Sequence, residues 1–288
     1  MTRLIVNADD FGLTPGVNRA VAESCQRGIV TSTTLMADGG AFSDAVAIAS
    51  TLREIGIGCH VVLVDGSPIL PPAHVTSLVE GQTGRFPNEL SPVVVRALRG
   101  QLDPNQIEAE VTAQIRKLQD AGIAVSHVDT HKHTHLLPQI LRPILRAARS
   151  CGVKAIRNPF GRVSIRLALS RPVLWKRTLQ VGLLNRLAKT FLRTVSDAGM
   201  VTTDGSLGVV ATGALDESLF RSIIEDLPEG TWEFVCHPGY NDADLNQIQT
   251  RLRAAREREL AVLTAESTRK LLQTHGVELI SYTELTRG

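Results

Sequence analysis

The sequence predicts a single α/β domain over residues 1–288: a distorted (β/α) barrel of about seven strands, with a basic helical insertion at about 160–200. Two observations carry this expectation. Short β-rich runs alternate with amphipathic helical segments along the chain, and acids or histidines stand at the ends of several of those runs. In a barrel of this kind the strand ends open into one mouth, where the connecting loops place reactive side chains.

The first run, at 4–6, is Leu-Ile-Val and meets Asn7-Ala8-Asp9-Asp10-Phe11-Gly12 at once. Further strands are expected at 30–36, 57–63, 125–128, 154–156, 232–236 and 278–281, from their β-branched and apolar content. His60 falls within the third run. The connection at 66–91 is rich in Pro and Gly, which suits an active-site loop that closes and equally one that stays still. A helix is expected over about 105–121, with Ile107, Val111, Ile115 and Leu118 on one face and Asp103-Pro104 as cap and first-turn proline. A second starts near Pro138 and carries Ile140, Leu141, Ile144, Leu145 and Ala148 until Gly152 stops it. Between these helices lies Val128-Asp129-Thr130-His131-Lys132-His133-Thr134-His135. Arg157 ends the run at 154–156, and Cys236-His237-Pro238-Gly239 ends the run at 232–236.

Composition narrows the setting. At 288 residues and 43% hydrophobic the chain can bury a large core. Its 31 basic and 29 acidic residues nearly cancel, so the chain as a whole carries no nucleic-acid signature. The distribution is uneven: Arg162 to Arg193 holds eight Lys or Arg and no acid. Within it Trp175, Leu179, Leu183, Leu187 and Phe191 recur every four residues beside Arg186, Lys189 and Arg193. Such a cationic amphipathic helix lies on an anionic membrane surface or packs its stripe on the barrel, and both readings stand at this point. The four cysteines, at 25, 59, 151 and 236, have no metal-ribbon or redox spacing and read as reduced thiols. Acids at Asp9 and Asp10 leave no room for a leader-type apolar region, and no stretch of about 18 apolar residues exists. The chain is therefore expected in the cytoplasm, with the inner face of the cytoplasmic membrane as the alternative place. A homodimer is compatible with the composition but not indicated by it.

Adjacent carboxylates at one strand end and histidines at others suggest a metal site that serves hydrolysis. Each motif also has a plain structural reading. Asp-Asp-Phe-Gly suits a turn and a helix entry, and His60 alone suits a satisfied core histidine. An extended backbone at 131–135 would place three imidazoles on one side. Arg157 could orient a carboxylate by a bidentate contact or be an ordinary surface cation, and His237 could be merely an exposed rim residue.

Five segments carry a resemblance to a known family. Asn-Ala-Asp-Asp-Phe-Gly at 7–12, Gly-Ile-Val-Thr-Ser-Thr-Thr at 28–34, Gly-x-His at 58–60, His-Val-Asp-x-His-x-His-x-His at 127–135 and Cys-His-Pro at 236–238 resemble the YdjC carbohydrate deacetylases, in order along nearly the whole chain. The run from His60 to Gly66 with Pro68, Leu70-Pro71-Pro72, Gly84-Arg85-Phe86 and the segment from Leu227 to Glu233 resemble the hopanoid-biosynthesis branch.

The resemblance implies removal of acetate from an N-acetylglucosaminyl hopanoid glycolipid. It implies one divalent metal, Mg or Zn, on Asp10, His60 and His131, and Asp9 as general base, with the roles of the two aspartates open to exchange. His237 is the candidate general acid, protonating the departing amine. Asp129 and Arg157 are expected to orient, and His133 and His135 to contact substrate or support the ligands. Two other readings stand beside this one. A deacetylase for soluble chitooligosaccharides would share the same catalytic residues without needing the basic insertion. A non-catalytic, membrane-associated sugar-binding module would hold its metal in a closed site.

Overall fold

A computed structural model describes residues 1–161 and 175–287, without the side chains of 176–178. Arg162, Arg166 and Arg171 of the basic island, and the side chains of Lys176 and Arg177, lie outside the described residues.

Among the described residues, eight parallel strands form one curled sheet. They are β1 (Thr2–Phe11), β2 (Ser32–Leu35), β3 (Gly56–Val61), β4 (Val125–Thr130), β5 (Ala155–Ile156), β6 (Gly205–Leu207), β7 (Gly230–Cys236) and β8 (Val277–Leu279). Seven lie in the order β5-β4-β3-β2-β1-β7-β6, while β8 pairs with the first half of β1, below β2. The distorted (β/α) barrel expected from the sequence is therefore present, in the form of a curled half-barrel. Its open side, between β5 and β6, is spanned by an Ala155–Val201 bridge and by hydrogen bonds from Ser206 N–H to Phe160 O and from Asn158 Nδ2 to Thr203 O. The strand ends fall within two residues of the expected ones, except that β1 runs five residues past the end of the run at 4–6. The three-residue β6, with its glycine and serine, offered no β-rich run to read.

Helices cover the outside: α1 (Pro15–Arg27), α2 (Phe42–Ala49), α3 (Leu90–Leu98), α4 (Pro104–Asp120), α5 (Pro138–Ser150), α6 (Trp175–Leu184), α7 (Ala188–Asp197), α8 (Glu217–Glu225), α9 (Ala243–Gln247), α10 (Ala254–Thr264), α11 (Glu266–Thr274) and α12 (Tyr282–Leu285). The cap expected at Asp103 accepts from Asn105 N–H, and the expected stripe on α4 (Ile107, Val111, Ile115 and Leu118) is fully buried. One large apolar cluster joins the outer faces of the strands to these helices. The barrel interior is different. Among the described residues its apolar cluster is a small plug of Ile5, Ala155, Ile280 and Tyr282 at the base, above which most inward side chains are polar or charged.

Among the described residues after β5, the helical segment is two helices joined by a 3-10 turn, not one continuous stripe. Phe191 is 3% exposed and meets Phe160, with ring centroids 5.4 Å apart, whereas Trp175, Leu179 and Leu183 are 52%, 73% and 61% exposed. The periodicity is real but serves two environments: its C-terminal end is core and its N-terminal end faces outward. No helix among the described residues is long and apolar enough to cross a membrane.

Candidate metal and hydrolytic centre

The register of the parallel strands brings the polar residues together. His60 on β3 and Asp129 on β4 are direct register partners, as are Val128 and Ile156, so Arg157 follows beside Asp129. Ala8 pairs with Cys236, so Asp9 and His237 emerge side by side one step later. Side chains on a strand alternate between faces, so Asp9 and Asp10 should point opposite ways. The β1–β2 register shifts between Ala8 and Phe11, and Asp10 has φ +65°. This irregularity turns the second carboxylate into the mouth with the first, a use of local distortion common beside active sites.

Asp10, His60 and His131 form a cluster whose ligand atoms lie within 4.8 Å of one another. Asp10 Oδ1 is 3.5 Å from His60 Nε2 and 3.3 Å from His131 Nδ1, and the two nitrogens are 3.3 Å apart. Donors about 2.1 Å from a common ion stand about 3.0–3.4 Å apart, so the set fits a small divalent cation. Asp10 Oδ1 is buried without a hydrogen-bond partner, while Oδ2 accepts from Arg256 Nη2 at 2.6 Å. His60 Nδ1 donates to Asp129 Oδ1 at 2.8 Å, which leaves the Nε2 lone pair toward the cluster. That carboxylate–histidine relay is how metal-binding imidazoles are oriented. A second group, Asp9, His60 and Asp129, also lies close. It fits a metal less well, because both Asp9 oxygens are already engaged by Arg157 at 2.6 and 2.7 Å.

Arg157 is fully buried and bridges three carboxylates. Besides Asp9 it contacts Asp129 at 2.6 Å, and Nε donates to Glu233 Oε1 at 2.8 Å. Burial alone would raise the pKa of Asp9, but Arg157 outweighs it and holds this carboxyl well below the usual carboxylate range. Burial also opposes ionisation of Asp10, and Arg256 and His131 more than reverse it. For His60, burial disfavours the cation, yet Asp129, Asp9 and Asp10 push its pKa up to about 9. His237 lies with Nε2 3.9 Å from Asp9 Oδ2 and Nδ1 3.8 Å from Glu259 Oε2. Burial lowers its pKa, Glu259 and the two aspartates raise it further, and the net direction is upward.

Asp9, Asp10, His60, Asp129, His131, Arg157 and His237 thus converge. His133 and His135 do not share the side that an extended backbone would give them. Residues 131–136 form a 3-10 turn in which Lys132 and His133 take left-handed φ values of +53° and +52°, so only His131 enters the cluster. Lys132 instead binds Asp65 Oδ2 at 2.7 Å and Asn88 O at 3.0 Å, tying both ends of the 66–91 connection to this turn. His135 Nδ1 meets Thr130 Oγ1 at 2.6 Å, and burial pushes the pKa of His133 down to about 3, so neither ring is a cation near neutrality.

Several residues of the centre were not singled out from the sequence. Glu233 had a signal, a lone acid inside the apolar strand Trp232–Cys236. Thr34, which donates to Asp129 Oδ2 at 3.1 Å, lies in the motif at 28–34. Asn7 donates to Asp9 Oδ1 at 2.9 Å and accepts from His127 Nε2 at 3.2 Å. Gly58 gives way to that imidazole, since a Cβ there would fall 2.5 Å from His127 Cε1. Arg256 and Glu259, on a charge-rich helix, gave no signal.

A half-barrel with an Asp-His-His cluster, an arginine-clamped second aspartate and a rim histidine offers the residue types a hydrolytic centre uses. The YdjC-like protein family model matches residues 3–274, and the chain belongs to that family. It is 31% identical to a carbohydrate deacetylase of Brevibacillus brevis, covering 98% of this chain and 99% of the relative. It is 33% identical to a carbohydrate deacetylase of Geobacillus stearothermophilus, covering 97% and 96%. A solved structure from Enterococcus faecalis, provisionally described as a cellobiose-phosphate cleavage protein, superimposes with TM-score 0.80 at 27% identity over 99% of this chain and 98% of that one.

Proposed function

We propose that this protein is a metal-dependent carbohydrate N-deacetylase, hydrolysing the acetamide of an amino sugar to the free amine and acetate. The observation that carries the reading is the pairing of an orphaned buried carboxylate oxygen, Asp10 Oδ1, with His60 Nε2 and His131 Nδ1 beside an independently clamped Asp9. The named deacetylases of similar length support it.

Asp10, His60 and His131 would hold the divalent cation, zinc or magnesium by the chemistry of the set. A cation there supplies polarisation of the acetamide carbonyl and acidification of the attacking water, which a base as weak as the arginine-paired Asp9 requires. Asp9 is ionised throughout the working pH range and takes the proton the water loses as its oxygen bonds to the carbonyl carbon. His237, with its raised pKa, gives a proton to the nitrogen as the C–N bond breaks. Asp129 fixes the His60 ring, and Arg157 fixes Asp9 and Asp129 together. His133, neutral and partly exposed, is left to contact the sugar by hydrogen bonds, while the fully buried His135 supports the turn through Thr130.

The substrate we favour is an N-acetylglucosaminyl hopanoid, a glycolipid held at a membrane surface. From His131 to Ser196 the chain has 14 Lys or Arg and no Asp or Glu. Arg142, Arg146 and Arg149 on α5 are exposed, as are Arg186, Lys189 and Arg193 around α7, and an open groove of about 680 Å³ runs between the two helices. Beside this cationic wall stand the exposed Trp175, Leu179, Leu183 and Leu184. Exposed apolar side chains close in the chain to cations suit contact with anionic lipid.

The test is acetate release by metal-stripped and metal-restored protein from the glycolipid in detergent and from soluble di-N-acetylchitobiose. Metal-dependent release is expected, stronger from the glycolipid. Asp9→Asn is expected to keep the metal and lose turnover, and His131→Ala to lose both. Preference for the soluble sugar would favour the chitooligosaccharide reading. No release from metal-loaded protein would leave a binding module.

A further inference from the structure

Helix α10 enters the centre twice. Arg256 and Glu259 stand three residues apart and so share one face of the helix, and each is only 2% exposed. Arg256 Nη2 donates to Asp10 Oδ2 at 2.6 Å, while Nε donates to Leu252 O at 3.1 Å. Glu259 Oε2 accepts the backbone N–H of His237 at 2.6 Å, and Oε1 accepts that of Gly213 at 3.2 Å. The path of the arginine is kept clear by Gly239, where a Cβ would lie 2.8 Å from Arg256 Cδ and 3.2 Å from Val17 Cγ2. Withdrawing a guanidinium and a carboxylate from water costs several kcal/mol, by order of magnitude, unless their partners are well placed. These partners are the cluster aspartate and the rim histidine.

We propose that Arg256 and Glu259 are positioning residues, Arg256 for the metal-binding carboxylate and Glu259 for the proton-donating histidine. The roles of Asp10 and His237 rest on the deacetylase reading above. Arg256 occupies Oδ2, so Asp10 offers a cation Oδ1 alone and cannot swing to chelate with both oxygens. Glu259 pins the backbone that carries His237 and places a negative charge 3.8 Å from its Nδ1. One rigid helix thereby sets the spacing between the metal side and the proton-donor side of the centre.

The experiment is calorimetric titration of Zn²⁺ into metal-stripped wild type, R256Q, R256K and E259Q, with thermal unfolding and acetate-release kinetics on the same samples. R256Q is expected to weaken Zn²⁺ binding by about 10–100-fold, the range for losing the partner of a metal ligand. R256K should fall between R256Q and wild type, because a shorter ammonium cannot serve both Asp10 and Leu252. E259Q should bind Zn²⁺ like wild type and lose about tenfold or more in kcat with KM unchanged. Wild-type Zn²⁺ affinity in folded R256Q would overturn the proposal, and so would equal losses of affinity in R256Q and E259Q. Should R256Q not fold, wild-type affinity in R256K overturns it instead. Zn²⁺ binding by wild type without acetate release would sink the deacetylase reading, while the affinity series would still decide the role of Arg256.

Discussion

At Asp10 the backbone does part of the placing. A left-handed φ at a non-glycine residue costs of order 1–3 kcal/mol, and here it turns a carboxylate that strand geometry would aim outward into the mouth. His60 shows what the assembled charges do in the absence of a cation. Its pKa rises from an ordinary 6.5 to about 9, because three aspartates outweigh burial. A raised folded-state pKa adds stability that is fully present below the unfolded value and lost as pH climbs through the folded one. Metal-free protein should therefore lose thermal stability between about pH 6.5 and 9. Added Zn²⁺ should raise Tm most at the upper end of that window, because a ligand that binds only the folded state stabilises it and metal ligation needs the deprotonated imidazole. Thermal unfolding in chelator and in Zn²⁺ across this range checks it, and a flat metal-free profile would refute the charged state assigned to His60.

At the scale of elements, the pair α6 and α7 separates packing from surface chemistry. Phe191 on α7 fills the space between Phe160 and His135, so Phe191→Ala should cost about 3–5 kcal/mol, the range for a buried phenylalanine. Leu179→Ser with Leu183→Ser, both on the exposed side of α6, should leave the unfolding midpoint within about 0.5 kcal/mol of wild type. The same double variant should lower retention on anionic phospholipid vesicles. Denaturant titration and vesicle cosedimentation read the two effects separately. Unchanged vesicle retention in the double variant would remove membrane contact from α6. The sequence period of four residues was correct as a helical signal, yet it could not say where the stripe leaves the core.

Across the whole molecule, the two ends of the chain meet under the site. The base of the half-barrel is closed by residues near the C-terminus. Tyr282 stacks on His127 at 3.7 Å between ring centroids and donates to Glu233 Oε2 at 2.6 Å, and Glu233 in turn accepts from Arg157. Tyr282→Phe would keep the stack but strip a donor from a buried carboxyl that burial already pushes toward protonation. A loss of about 1–3 kcal/mol in chemical denaturation is expected, with Zn²⁺ affinity unchanged. A loss of metal affinity would show that this plug also sets the cluster.

Much of the site was legible in the sequence, because catalytic loops follow apolar strands and leave short signatures. Asp9-Asp10, Asp129, His131, Arg157 and His237 each follow or end a β-rich run and His60 lies within one, and parallel strands bring these positions to one side. Tertiary structure decided which atoms meet. A register shift put both aspartates in the mouth, and two left-handed residues separated His131 from His133 and His135. Arg256 and Glu259 were invisible for a physical reason: on a helix rich in Arg and Glu, a buried pair reads like solvated surface until its neighbours are known. Sequence thus determined the strand order of the chemistry and the residue types it uses. Only packing determined which charges are desolvated, and hence which aspartate is clamped and which keeps an oxygen free.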